Sequence, residues 1–106
     1  MDYEGERSLR VTLEFSDTAH RSLDVQWSAA TACKKLEYAR IFLVVLGDDP
    51  QRVYLNLVDT RPWASVRLPE ALAEGEYAIE IDAYGSASWG DGRLDARGRS
   101  ASFTVV

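Results

Sequence analysis

Apolar residues recur at every second position in several parts of this chain, and that spacing constrains its fold more than any other feature. The alternating sets are Leu9, Val11, Leu13 and Phe15; Leu23, Val25 and Trp27; Val53, Leu55 and Leu57; and Tyr77, Ile79, Ile81 and Ala83. Side chains two residues apart lie on one face of a β-strand, whereas a helical face requires spacings of three and four. Each set therefore predicts a half-buried strand.

Three further strands follow from other signals. We expect them over 38–46, 65–68 and 100–106, the last with Ala101, Phe103 and Val105 on one face. In the first of these the unbroken IFLVVL is typical of a central strand covered on both faces, or of a surface patch that something else covers. Polar or turn-forming residues separate the strands at 16–21, 47–52 and 59–64, and 28–37 is expected to be a loop or a single turn.

The strand count predicts the fold class. Seven short strands without a convincing helix indicate an all-β, seven-stranded antiparallel sandwich, with a closed barrel as the alternative. A chain of 106 residues is long enough to bury a two-layer core without disulfides. We therefore expect one domain over 1–106.

Charge and hydropathy exclude some partners. The chain has 12 Lys+Arg and 17 Asp+Glu, a formal net charge of −5, so it gains little from counterion release at phosphates and we expect no nucleic acid partner. Its longest apolar run, 41–46, is far shorter than the roughly 20 residues of a membrane helix. The acidic, polar start MDYEGERSLR does not resemble a signal peptide. We expect either a cytoplasmic protein or a domain excised from an exported one.

The stretch LAEGEY has the elements of a tyrosine corner: Leu72 for the core, Gly75 for the turn and Tyr77 at the start of the sixth strand. Trp27, in LDVQW, lies in the second strand, Tyr38 opens the third, and SASFTVV has the pattern of a closing strand. On these residues the chain resembles fibronectin type III domains and related bacterial immunoglobulin-like modules. The resemblance implies an immunoglobulin-like sandwich in which the Tyr77 hydroxyl bonds to the upstream backbone.

The same resemblance implies a function. We expect a non-catalytic module that binds proteins or spaces domains, within a bacterial surface, secreted or phage-particle assembly. The chain departs from the family pattern in three respects. It has Ala73-Glu74 where a proline usually precedes the corner, its 85–99 segment is long, and that segment lacks an Arg-Gly-Asp tripeptide.

No cluster of residues predicts catalysis or a cofactor. His20 is the single histidine and stands in a polar turn, so any histidine-based scheme has one candidate. Cys33 is the single cysteine, and although two lysines beside it could lower its pKa, we expect a half-buried structural residue. The turn and loop aspartates are Asp48, Asp49, Asp91 and Asp95. They lack the dense spacing of a calcium loop, so we expect no enzyme activity and a fold that is stable without metal.

Two tryptophans lie outside the predicted core. Trp63 and Trp89 fall in expected loops, where a large ring is either a binding anchor or a cap on the sandwich. Trp89 shares the 85–99 segment with Arg93 and Arg97, and loops longer than about 12 residues are usually functional or disordered. We predict that this trio lies on the principal interaction surface.

Two further expectations concern this surface. In a fibronectin-like topology the connections 28–37, 47–52 and 85–99 should gather at one end of the sandwich. The alternative function is a carbohydrate-binding module that uses the flat rings of Trp63, Trp89 and Tyr84.

Overall fold

A computed structural model describes residues 7–16, 21–29, 38–47, 49–59, 61–84 and 96–105. Within these ranges the chain forms eight strands: β1 Arg7–Phe15, β2 Ser22–Ala29, β3 Tyr38–Val45, β4 Gln51–Asp59, β5 Trp63–Arg67, β6 Gly75–Tyr84, β7 Ala96–Arg99 and β8 Phe103–Val105. The described part of the chain is all-β, as the alternation predicts. No helix in it is long and apolar enough to cross a membrane.

The strands form two sheets that are joined through β1. The larger sheet has the order β4-β3-β6-β7, with β8 also paired to β6. The smaller sheet contains β1, β2 and β5, with antiparallel pairs β1–β2 and β2–β5. β1 starts beside β7 before it continues along β2. β4 and β5 are the two terminal strands of the pairing order, and no pairing joins them among the described strands. The strands therefore do not close into the alternative barrel.

The inner faces of the two sheets form one core. Leu23 and Val25 come from the smaller sheet and Leu43 and Ile81 from the larger, and each is at most 1% exposed. Trp27 is also buried in this cluster, which confirms its predicted place.

β3 is covered on both sides, as its apolar run predicts. It lies between β4 and β6, and Ile41 and Leu43 point into the core. Val44 belongs to the opposite, outer side of the strand, yet it is only 1% exposed. The outer face of the larger sheet is therefore partly closed to solvent by its own side chains.

The tyrosine corner is present. Tyr77 is buried, and its hydroxyl donates a 2.6 Å hydrogen bond to the carbonyl oxygen of Ala73. Gly75 has a φ of +155°, which residues with a side chain rarely adopt, so glycine suits this entry into β6. The ring of Tyr77 lies 6.4 Å from that of Phe103, centroid to centroid. The corner thereby links the start of β6 to β8.

The C-terminal region differs from expectation. The final four residues of the predicted loop 85–99 form β7, and the predicted seventh strand is shortened to Phe103–Val105. Phe103 and Val105 are buried, but Ala101 is exposed and precedes the strand. The described residues thus form eight strands rather than seven, and the β1–β7 pair is parallel rather than antiparallel. The sequence ARGR of β7 has no apolar alternation, so its strand character comes from backbone pairing with two neighbours.

The predicted inner face of the fourth strand is also corrected. Val53 and Leu57 are each 41% exposed instead of facing the core together. The pairing with β3 shifts register and passes over Leu55, a β-bulge that reverses which residues point inward. Val58 is buried as a result, and β4 starts at Gln51, inside the expected turn.

The connections are divided between the two ends of the larger sheet. Tyr38 pairs with Tyr84, and Val45 pairs with Tyr77. The turn between β3 and β4 therefore lies at the end opposite to the start of β3 and the end of β6. This contradicts the expectation that 47–52 gathers with the connections before β3 and after β6. Residues 30–37 and 85–95 themselves lie outside the described ranges.

Candidate functional site

The outer face of the larger sheet holds two buried carboxylates at its centre. Along β6, Ile79 and Ile81 point into the core, so Glu80 and Asp82 point the other way, toward solvent. They are nevertheless only 6% and 3% exposed. A carboxylate withdrawn from water is costly unless charged or polar partners replace the water.

Three arginines, one from β4 and two from β7, supply those partners. Arg97 donates from Nε to Asp82 Oδ1 at 2.7 Å and from Nη2 to Oδ2 at 3.0 Å, a bidentate pair. Arg52 bridges both acids, with Nη2 2.8 Å from Asp82 Oδ2 and Nη1 3.2 Å from Glu80 Oε1. Arg99 Nη2 lies 3.3 Å from Glu80 Oε2. No buried side-chain nitrogen or oxygen of the described residues lacks a hydrogen-bond partner.

Strand register brings these side chains together. Asp82 pairs directly with Arg97, and Glu80 with Arg99, across β6 and β7. Arg52 comes from β4, two strands away from β6, and reaches over β3. Its Cζ lies 3.7 Å from the ring centroid of Phe42, so the aromatic ring of β3 supports the guanidinium from below through a cation–π contact.

Aromatic side chains surround the cluster. Tyr54 meets Phe42 edge to face, with centroids 6.0 Å apart, and Arg40 Cζ lies 5.6 Å from the ring centroid of Tyr84. We call this surface the arginine face; its members are Arg40, Arg52, Arg97, Arg99, Glu80, Asp82, Phe42, Tyr54, Leu57 and Tyr84. The side chains of Arg52, Arg97 and Arg99 are 33%, 36% and 47% exposed. The acids lie beneath them, so the face presents guanidinium groups to solvent.

Asp82 stays ionised at neutral pH. Burial alone would raise the pKa of Asp82, but hydrogen bonds from Arg97 and Arg52, together with their positive charges, outweigh it and hold that pKa below its ordinary value. Arginine keeps its proton throughout the physiological range. The Asp82–arginine part of the cluster is therefore suited to binding through fixed charges and donors, not to proton transfer.

The described ranges also contain an open groove that shares no lining residue with the arginine face. No group of three or more His, Cys, Asp or Glu within them could hold a metal ion. The groove, of about 360 Å³, lies between β1 and the segment before β8, lined by Val11, Thr12, Leu13, Phe15, Ser100, Ala101, Ser102 and Phe103. Its lining offers hydroxyls and apolar side chains but no acid or base.

The structure separates the residues predicted to bind. Arg97 belongs to the arginine face, and so does Tyr84, which closes β6 and is only 6% exposed. Trp63 is not in a loop as expected; it opens β5 on the smaller sheet, 48% exposed, with Arg61 Cζ 5.0 Å from its ring centroid. Trp89 and Arg93 lie outside the described residues, as do His20, Cys33, Asp48, Asp91 and Asp95. Trp63 and Tyr84 therefore lie on different sheets.

Most of the arginine face escaped prediction from sequence. The sequence alone indicates that Glu80 and Asp82 are ordinary solvated residues on the outward side of a strand. Alternation shows which way a side chain points, but it does not show what covers that side chain. One sequence signal could have indicated the cluster. Arg97 and Arg99 are two residues apart in the sequence, as are Glu80 and Asp82. Opposite charges in matching periods on two strands indicate that those strands pair.

No protein-family model matches the chain, and no curated protein is similar to it. The functional argument therefore rests on the arginine face itself.

Proposed function

We propose that this chain is a non-catalytic immunoglobulin-like module of the fibronectin type III-like kind, and that it binds another protein through the arginine face. The strand arrangement supports the fold assignment. Immunoglobulin-type sandwiches keep their first, second and fifth strands in one sheet and their third, sixth and last strands in the other. The two sheets here have that membership, and β4 lies beside β3. The Tyr77 corner and buried Trp27 add to this support.

The observation that carries the binding proposal is the burial of Glu80 and Asp82 beneath arginines on a solvent-facing surface. Buried ion pairs add little net stability, because desolvation offsets most of their attraction. A gain in net stability over an apolar surface therefore does not account for this cluster. Its clearest effect is to hold Arg52 and Arg97 in fixed orientations before any partner arrives.

Preordering matters because association has an entropic cost. A side chain that is already fixed loses less freedom on binding, and arginine and tyrosine are enriched among the residues that dominate protein interfaces. Tyr54 and Leu57, 56% and 41% exposed, lie beside the arginines and add apolar contact. Such a mixture suits a protein partner that offers carboxylates or carbonyl oxygens to the guanidinium groups.

Matched variants on opposite sheets test the proposal. Arg99 makes a single 3.3 Å contact with Glu80, so Arg99→Ala removes an exposed donor while the Asp82 pairs stay intact. Arg67→Ala removes an exposed arginine from the smaller sheet. The tagged wild-type chain would recover proteins from an extract of its source cells, and the recovered partner would be titrated calorimetrically against all three forms.

We expect Arg99→Ala to weaken the partner's affinity by about tenfold, the effect of losing one charged interface contact. Arg67→Ala should bind like wild type. The proposal would be refuted if all three folded forms bound the partner equally. It would also be refuted if the tagged chain retained a glycan and no protein.

A further inference from the structure

β4 forms one edge of the larger sheet. It pairs with β3 on one side, and among the described residues no strand pairs with it on the other. An edge strand presents a row of unpaired N–H and C=O groups that another strand can join. β4 has 9 residues, as many as β1, and among the described strands only β6 is longer. Its row of unpaired backbone groups is therefore one of the longest that a described strand could offer.

Apart from the bulge at Leu55 and the charge of Arg52, β4 has little that protects this edge. Natural edge strands commonly carry lysine, proline or an inward-pointing charge, and the sequence QRVYLNLVD has neither lysine nor proline. It exposes Val53, Tyr54 and Leu57 instead, at 41%, 56% and 41%. These are three of the four exposed large hydrophobic residues in the described part of the chain; Trp63, on β5, is the fourth.

The bulge at Leu55 makes the strand complementary to itself. Pairing with β3 places Tyr54 and Leu57 on the outer face, opposite Phe42 and Arg40. It places Val53 and Val58 on the inner face, opposite Leu43 and Ala39. A two-fold axis through the bulge would set Tyr54 against Leu57 of a second copy. It would also set Val53 against Val58, so each cross-strand pair shares one face.

Apolar pairs directly across two strands favour pairing, and a two-fold interface must be self-complementary in this way.

We propose that two copies of this chain associate through antiparallel pairing of β4 with β4, which joins their larger sheets into one. The two-fold axis runs perpendicular to the sheet, so both arginine faces lie on the same side of it. The proposal does not depend on the identity of any partner of that face.

Sedimentation equilibrium of the purified chain, from micromolar to millimolar concentration, tests the association. We expect a reversible monomer–dimer equilibrium. Tyr54→Lys and Leu57→Glu should each raise the dimer dissociation constant by about tenfold or more, since each places a charge against an apolar side chain. Trp63→Lys, at a 48% exposed aromatic on the edge strand β5, should leave the constant unchanged.

The register has its own test. The double variant Tyr54→Lys with Leu57→Glu should recover most of the wild-type affinity, because the two substituted positions face each other across the interface with opposite charges. A wild-type chain that stays monomeric at millimolar concentration would overturn the proposal. So would a double variant no better than the singles, or a Trp63→Lys effect as large as theirs, provided that circular dichroism shows every form folded.

Discussion

The Tyr77 hydroxyl fixes the entry into β6 through one hydrogen bond to the Ala73 carbonyl. We expect Tyr77→Phe to lower the free energy of unfolding by about 1–3 kcal/mol, because the carbonyl loses its partner in a partly buried site. Urea unfolding measures the change. Tyr54→Phe is the matched control. Because the Tyr54 side chain is 56% exposed, this substitution should change the free energy of unfolding little. Superimposable curves for Tyr77→Phe and wild type would show that the corner bond is not a stabilising contact.

Trp27 should be the costliest of the described tryptophans to remove. It is 6% exposed within the core cluster, whereas Trp63 is 48% exposed. We expect Trp27→Ala to destabilise by about 3–5 kcal/mol through the cavity it leaves. Trp63→Ala should change stability by only about 0.5 kcal/mol. Similar losses for the two variants in a denaturant titration would contradict the assignment of faces in β2 and β5.

Sequence reasoning at this scale succeeded where one residue type carries a specific geometry. Tyr77 and Trp27 were placed correctly, because a tyrosine after a glycine turn and a tryptophan in an alternating strand each have few structural roles. Tyr84 and Trp63 were treated alike as available aromatics, yet one is buried and the other exposed. Exposure depends on which neighbour covers the ring, and that neighbour is distant in sequence.

β7 lies so close to β1 that it requires a residue without a side chain. A Cβ at Gly98 would collide with the backbone carbonyl of Leu9 and with its Cβ, and backbone cannot move aside cheaply. We expect Gly98→Ala to cost about 1–3 kcal/mol, as overpacking typically does. Thermal unfolding measures this, with Ser102→Ala, in the exposed segment before β8, as control. An unchanged midpoint for Gly98→Ala would mean that β1 and β7 do not pair closely.

Asp82, on β6, makes stability depend on pH. The folded-state pKa of Asp82 lies below its ordinary value, so the unfolded chain takes up a proton at a higher pH than the folded chain does. This stabilisation is present above about pH 4 and is lost as pH falls through the folded pKa. We expect the free energy of unfolding to fall in that acidic range, and to fall less steeply in Asp82→Asn.

Urea unfolding at a series of pH values measures this slope. Asp49→Asn, at an exposed position in the β3–β4 turn, controls for the loss of any one carboxylate. If Asp82→Asn and wild type kept parallel profiles down to the acid limit, the ion pairs would not be linked to folding.

At the scale of elements, alternation identified strands but not their interruptions. β1, β2 and β6 follow the apolar period closely, because one face of each packs on the core, whereas β3 was identified by its unbroken apolar run. β4 was placed correctly in the chain, but its faces were misassigned, since the bulge at Leu55 arises from pairing with β3. β7 has no apolar pattern at all. Its position depends on backbone contacts with residues more than ten positions away, which no local pattern reports.

At the scale of the whole molecule, the two sheets differ in width and in surface character. The larger sheet extends beyond the three strands of the smaller one, which leaves the inner-facing Val53 of β4 uncovered and 41% exposed. The chain carries a net charge of −5, yet its larger sheet presents arginines. Composition averages over such asymmetry, so the overall charge does not predict what one face binds.

The central claim is that the arginine face is already ordered in the isolated molecule. The most direct test is the hydrogen exchange rate of the arginine Nε–H groups, followed by nitrogen-15 NMR at neutral pH. Arg97 Nε donates to the buried Asp82 at 2.7 Å, so its proton should exchange about tenfold or more slowly than that of the exposed Arg67, as a protected hydrogen-bonded group does. Equal exchange for Arg97 and Arg67 would show that the guanidinium is not held in place, and would contradict the account of this surface.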